Sequence, residues 1–268
     1  MLMNSNDTYV EALRLLELHI ATDWLRPPLA ILEVGAGAGW QARALSQAGH
    51  QVKAVDIPDS QFAMARVWPI LDYDGEHLPF GDSTFDVVFS SNVLEHVVSL
   101  DRLLTDMCRV LKDGGYMIHV VPSASWRVWT SMTYYPDLIR RVVRAVFKKS
   151  SHGSKGAMVD ANAKCETEKL EETPMHGRDI AKRLMAPAHG EAGSALRELV
   201  TFRRRHWGRV LDNPQLEFVE QQPIGLYYSG SVILGARLSF RSRRILAKVL
   251  GSSCHVFVMR KSSERSRA

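Results

Sequence analysis

Glu33 closes an apolar run, and glycines follow it at 35, 37 and 39 in the stretch ILEVGAGAGW. Glycine lets a chain turn sharply from strand to helix and lets a ligand lie directly on the backbone. A dinucleotide site would space its glycines as GxGxxG, the third one letting the helix pack tightly on the strand. Counted from Gly35 and Gly37, that third position is Trp40, and an indole there opposes the fit. Glu33 also turns the wrong charge towards a pyrophosphate. No Gly-Lys-Ser/Thr follows, which excludes a P-loop. The chemistry left is a ligand with a cationic group and no phosphate.

S-adenosylmethionine has that chemistry: a cationic amine and sulfonium, a ribose and an adenine. Asp56 stands 21 residues after Gly35, followed by Ile57, where an acid can accept hydrogen bonds from two ribose hydroxyls. It could also cap a turn before Ile57-Pro58. Asp74 stands where a carboxylate can accept from an adenine amino group, or serve as a turn residue beside Gly75. Methyl transfer to an alcohol also needs a base near neutrality. Of ten histidines, His96 and His189 are the candidates, with His176 a further residue able to reach the site; each could equally be structural. No metal-ligating constellation is visible, and the Asn/Asp-Pro-Pro-Tyr signature of base-amine methylation is absent from SSNVLEH.

These residues need a scaffold, and the first 120 residues alternate strand and helix. Thr8 and Glu11 pattern as a capping box opening a helix that stops before Pro27-Pro28. Strands are expected at 29–34, 51–56, 69–73, 85–91 and 116–121, with helices at 40–49, 60–67 and 99–111 between them. This alternation predicts a parallel sheet with right-handed crossovers and ligands at the carboxyl ends of the strands. Glu33 to Gly39, Asp56, Asp74 to His77 and Asn92 to His96 all fall at such ends.

ILEVGAGAGW, VDIPDS, YDGEHLPFGDSTFDVVFSSNVLEHV and RVLKDGGYMIHVVP together resemble the successive motifs of the class I S-adenosylmethionine-dependent methyltransferases. The similarity is to the small-molecule and glycan-modifying, type 11-like subgroup, and covers about residues 29–122. It implies that Glu33, Gly35, Gly37 and Gly39 line the methionine portion of the donor and that Asp56, with Ile57 beside it, holds the ribose. Asp74, Gly75 and Glu76 would flank the adenine, and Asn92 would border the methionine end. It also implies a Rossmann-like, doubly wound α/β fold with a seven-stranded sheet, the last strand antiparallel. LEFVEQQ (216–222) and HVFVMRK (255–261) supply the sixth and seventh strands.

The expected organisation is a donor-binding half over 1–122, a helical and loop insertion after strand five over 123–200 on the acceptor side, sheet completion over 201–261, and a basic tail at 262–268. Within the insertion, Trp126, Trp129, Tyr134 and Tyr135 could stack on a sugar or pack as core. Residues 137–149 pattern as a basic amphipathic helix and 148–178 as a polar loop. A long helix through Trp207 follows His189-Gly190-Glu191, and this stretch and PIGLYYSGS (223–231) resemble methyltransferases of bacterial surface-polysaccharide and secondary-metabolite clusters.

The net charge of +5 is unevenly spread, in basic clusters at 140–149, 203–209, 241–248 and 260–267. These are solvated faces or the footprint of an anionic partner. No RNA-binding appendage accompanies them, so charge alone supports nucleic acid. Three scattered cysteines and the lack of a signal or a membrane-length apolar run point to the cytoplasm, with peripheral contact at the inner membrane face through 137–149. The activity expected is O-methylation of a saccharide or other polar small molecule. A lipid or quinone acceptor, an RNA acceptor and a non-catalytic donor-binding protein are the alternatives. The acceptor and the oligomeric state are not encoded in any recognisable motif.

Overall fold

A computed structural model describes residues 5–151, 187–190, 193–230 and 237–262. The strands are β1 (Ala30–Val34), β2 (Gln51–Asp56), β3 (Leu71–Asp72), β4 (Phe85–Ser91), β5 (Leu111–Pro122), β6 (Leu216–Pro223) and β7 (Cys254–Lys261). They form one sheet in the order β3-β2-β1-β4-β5-β7-β6. The first five are parallel, and β7 runs antiparallel to both β5 and β6. The doubly wound, seven-stranded α/β architecture anticipated from the sequence is therefore present, with its last strand reversed. β1 and β4 sit at the centre, so Ile31, Leu32, Val34, Val87, Val88 and Phe89 are buried on both sheet faces. That double burial is why these strands read as continuous apolar runs rather than alternating ones.

The helices are α1 (Ser5–Thr22), α2 (Trp40–Gln47), α3 (Leu100–Val110), α4 (Ala124–Ser151), α5 (Ala195–Thr201), α6 (Arg204–Val210) and α7 (Phe240–Leu250). In α3 the residues Leu103, Leu104, Met107, Cys108 and Val110 are buried, a stripe at helical spacing laid on the sheet. Asp101 in its first turn and Arg109 in its last complement the helix dipole.

Several boundaries differ from expectation for identifiable reasons. Thr8 lies inside α1 rather than at its cap, and α1 stops five residues ahead of Pro27. β5 starts at Leu111, not 116, because Leu111 pairs with Phe85 and the chain then bulges before Tyr116 meets Val87. Gly114 (φ 74) and Gly115 make that bulge feasible, since a Cβ on Gly115 would come within 2.9 Å of the Asp86 carbonyl oxygen. Residues 60–67 contain only a 3₁₀ turn, Ala63–Ala65. The helix expected at 137–149 begins at Ala124 and takes in the aromatic stretch, with Pro136 inside it. Trp126 is buried core, and the Trp129 indole N–H donates to the Leu250 carbonyl at 2.8 Å. The long helix expected through Trp207 is broken into α5 and α6. The break lets Phe202 bury and stack on Trp207 with ring planes 18° apart. Most of the loop expected at 148–178, His176 included, lies outside the described residues.

Candidate active site

A cavity of about 630 Å³ opens at the carboxyl ends of β1, β2 and β4, within the size range of small-molecule sites. Gly35, Gly37, Asp56, Ile57, Asp74, Gly75, Glu76, Asn92, His96 and His189 line it. Ten of the twelve residues singled out in the sequence thus share one cavity. Glu33 and Gly39 are not among its lining residues.

The turn after β1 explains the glycines individually. Gly35 has φ 73, and a Cβ there would sit 2.3 Å from Val93, so no larger residue fits. The N–H groups of Gly35 and Ala36 both donate to the Val55 carbonyl, at 2.9 and 3.0 Å. Gly39 has φ 82 and precedes α2, where a Cβ would meet Trp68 at 2.6 Å. It packs the turn against Trp68. Trp40, in the place a dinucleotide site gives to glycine, lines the cavity, its ring 6.2 Å from that of Phe62.

Asp56 closes the same turn from β2. One carboxylate oxygen accepts from the Gly37 N–H at 2.7 Å and the other from the Ile57 N–H at 2.8 Å. Each oxygen keeps acceptor capacity for a hydroxyl, because a carboxylate has about four lone-pair sites. Both the ribose and the turn-capping reading of Asp56 are thus compatible with one geometry. Glu33 is buried, and its Oε2 has no hydrogen-bond partner among the described residues. Burial pushes its carboxyl up to about 8, opposed by the Ala42 backbone N–H and reinforced by the nearby Asp56 charge. An orphaned buried carboxyl beside a bare turn calls for a cation. This fits the amine of S-adenosylmethionine, and the two free lone pairs of Asp56 fit its ribose.

Asp74 is differently engaged. β3 ends two residues earlier, and the Asp74 carboxylate accepts from the backbone N–H groups of Glu76 (2.8 Å) and His77 (2.6 Å) and contacts the His77 ring at 2.7 Å. Those bonds hold its carboxyl far below the usual range, with the His77 N–H the largest cause. Asp74 thus serves its own turn and also lines the cavity with Gly75 and Glu76, Glu76 paired with Arg102 at 2.8 Å. Asn92 takes a left-handed backbone, φ 55, at the end of β4 and donates its N–H to the Val120 carbonyl.

At the opposite side His96 and His189 meet, their ring centroids 4.7 Å apart, with the Trp126 ring 4.6 Å from His189. The His189 loop is pinned from below. Glu198 accepts from the backbone N–H groups of His189 (2.6 Å) and Gly190 (2.8 Å) and pairs with Arg127 at 3.1 Å. Arg127 and Glu198 are both buried. Burial lowers the His189 imidazole to about 4, helped by the charges of His96, Arg14 and Arg127, so it is neutral near pH 7.

A family model for a methyltransferase domain matches residues 32–119, the segment that builds this turn and cavity floor. Curated methyltransferases are similar to part of the chain. The chain is 32% identical over 132 residues to the ubiquinone/menaquinone biosynthesis C-methyltransferase of Laribacter hongkongensis, covering 44% of this chain and 52% of that protein. It is 31% identical over 94 residues to the malonyl-[acyl-carrier protein] O-methyltransferase of Buchnera aphidicola, covering 34% and 38%. The chain thus spans about half or less of the curated relatives it matches. A chain of the solved complex containing the Haloferax volcanii Trm112 methyltransferase activator superposes with a TM-score of 0.52 at 14% identity, over 96% of this chain and 91% of that one, a likeness of fold.

Sequence reasoning missed the residues outside the methyltransferase domain that support the cavity. Arg14 of α1 lines it and pairs with buried Glu17 at 2.6 Å, and Glu17 also accepts from the Tyr228 hydroxyl. The i, i+3 spacing of Arg14 and Glu17 was the only available signal. Arg127 and Glu198 carried none, being far apart in sequence.

Proposed function

We propose that this chain transfers a methyl group from S-adenosylmethionine to a hydroxyl of a saccharide or similar polar small molecule. The carrying observation is the arrangement of one cavity: an acid-flanked, side-chain-free turn at one end and two histidines at the other. In this reading Glu33 neutralises the donor amine, Gly35 and Gly37 admit the methionine portion, and Asp56 orients the ribose. Ile57, Asp74, Gly75 and Glu76 form the adenine end, Gly39 holds the turn, and Asn92 borders the methionine end. The donor, when bound, supplies a methyl group activated by a positive sulfur. The chain aligns the acceptor oxygen with that methyl, excludes water through the wall that Val10 and Arg14 of α1 and His189 contribute, and removes the hydroxyl proton. His189 or His96 takes that proton; His189 is neutral near pH 7 and so able to accept it, although burial makes it a weaker base than an ordinary imidazole. Residues 1–122 then act as the donor half, 123–200 as the acceptor wall carrying α4 and His189, and 201–261 as the completion of the sheet. Labelled-methyl transfer to a panel of hydroxylic acceptors tests this. Transfer that falls in His189→Ala with donor affinity unchanged supports it, and methylation confined to carbon or nitrogen acceptors sinks the hydroxyl assignment.

A second reading, a lipid or quinone acceptor at a membrane surface, is favoured by the quinone C-methyltransferase relative and by the composition of α4. Arg140, Arg141, Arg144, Lys148 and Lys149 follow one another along that helix among Leu, Ile, Val and Phe. No helix among the described residues is long and apolar enough to cross a membrane. Contact would therefore be peripheral here, with each cation near an anionic surface adding about 1 kcal/mol. Under this reading, replacing Arg140, Arg141 and Arg144 by Gln releases the protein from anionic vesicles at about 0.1 M salt, where screening is moderate. Wild-type protein that does not float with such vesicles leaves the polar acceptor as the better assignment.

A further inference from the structure

The histidine end of the cavity holds a group that the methyl-transfer reading does not use. Glu95 lies between His96 and His189, its side chain fully buried and both carboxylate oxygens without a hydrogen-bond partner among the described residues. Its Oε1 stands 3.8 Å from His96 Nε2 and 3.9 Å from His189 Nε2. One ligand atom from each residue falls within 4.8 Å of the others. Two further carboxylates approach this region, and each has its own cation: Glu17 has Arg14, and Glu198 has Arg127. The Arg14 charge also reaches Glu95 through space, but no group hydrogen-bonds the Glu95 carboxylate among the described residues, and it faces two imidazoles. A carboxylate in that position is costly unless it is protonated or meets a cation.

We propose that Glu95, His96 and His189 form a binding site for a divalent transition metal ion of the zinc type at the acceptor end of the cavity. Two imidazoles and a carboxylate are a donor set suited to such ions, and three protein ligands leave a position open for water or substrate. Bonds of about 2.0–2.1 Å at tetrahedral angles place ligand atoms roughly 3.3 Å apart, so the two Glu95–histidine pairs, at 3.8 and 3.9 Å, need to close by about half an ångström and the histidine–histidine pair, within 4.8 Å, by up to about 1.5 Å. Binding therefore requires both imidazole rings to turn towards Glu95. The support behind the ligands is already built. Glu198 fixes the backbone of His189 and Gly190, and Gly190 packs so closely on Glu95 that a Cβ there would come within 2.3 Å of its carbonyl oxygen. His96 and His189 line the cavity, so the open position faces the acceptor. A hydroxyl bound to such an ion gives up its proton more readily, so in the metal-loaded protein the two histidines act as ligands in place of the base role given above, and the proton passes to solvent.

Metal binding is separable from methyl transfer and is read without it. Tag-free full-length protein is treated with chelator, dialysed, and titrated at pH 7.5 with zinc, and with cobalt to follow its visible absorption. One zinc per chain is expected, with a cobalt spectrum typical of mixed nitrogen and oxygen ligands. Glu95→Gln and His189→Ala should each weaken zinc binding beyond the roughly 10–100-fold cost of losing an outer-shell partner. Circular dichroism checks that each variant is folded, and Glu95→Gln, which keeps the side-chain shape, serves if His189→Ala does not fold. Absence of stoichiometric zinc binding, or binding that survives in the folded variant, overturns the proposal.

Discussion

Asp56→Ala should raise the donor dissociation constant by about 10- to 150-fold. Hydrogen bonds to a charged acceptor are worth about 1.5–3 kcal/mol. The substitution removes the acceptor for the ribose hydroxyls and, with it, the clamp on the N–H groups of Gly37 and Ile57. Both losses fall on the turn that receives the ligand, so the effect belongs in affinity more than in melting temperature. Titration calorimetry with S-adenosylhomocysteine measures it, alongside circular dichroism to confirm the fold. An affinity within threefold of wild type would remove Asp56 from the donor site.

Arg127→Ala should be more damaging to stability than any surface change. Arg127 and Glu198 are 1% and 0% exposed, and truncating one partner leaves a buried charge without compensation. Such losses cost about 3–5 kcal/mol, and at about 2–4 °C per kcal/mol for a domain of this size the melting temperature should drop by roughly 6–20 °C. The comparison that isolates the pair is Arg127→Met with Glu198→Leu, which replaces both charges by apolar groups and should recover much of the loss. The double variant still loses the acceptor for the His189 and Gly190 N–H groups, so methyl transfer should remain impaired after stability returns. A single variant that melts within 2 °C of wild type would contradict the assigned burial of the pair.

The donor half of this molecule was legible because its chemistry is local. Glu33, Gly35 and Gly37 are neighbours, Asp56 ends the next strand, and buried parallel strands announce themselves as apolar runs. Where several roles were open, the structure adds local partners: Asp74 accepts from its own turn while lining the cavity, and Gly39 packs against Trp68. The acceptor half was legible only in part. His96 and His189 could be named one at a time, yet nothing in the chain order says that their rings meet or that Glu95 lies between them. Arg127 and Glu198 were invisible for the same reason, since an ion pair across two helices leaves no periodic trace. Local pattern also overran at helix ends. The apolar spacing through Trp207 suits one long helix, but burying Phe202, Trp207 and Glu198 together requires the chain to break between α5 and α6.

Calorimetry of S-adenosylhomocysteine and NAD tests the donor site most directly, because Glu33 gives it a second signature. Free Glu33 holds its proton up to about pH 8, whereas pairing with the ligand amine requires the carboxylate. Binding at pH 6.5 should therefore expel about one proton, visible as a dependence of the heat on the buffer's ionisation enthalpy. Affinity should climb by up to about tenfold per pH unit towards pH 8 and level off above it, once free Glu33 is itself ionised. The account predicts this proton-coupled binding, its absence in Glu33→Gln, and no heat from NAD. Binding of NAD with no heat from S-adenosylhomocysteine would contradict it.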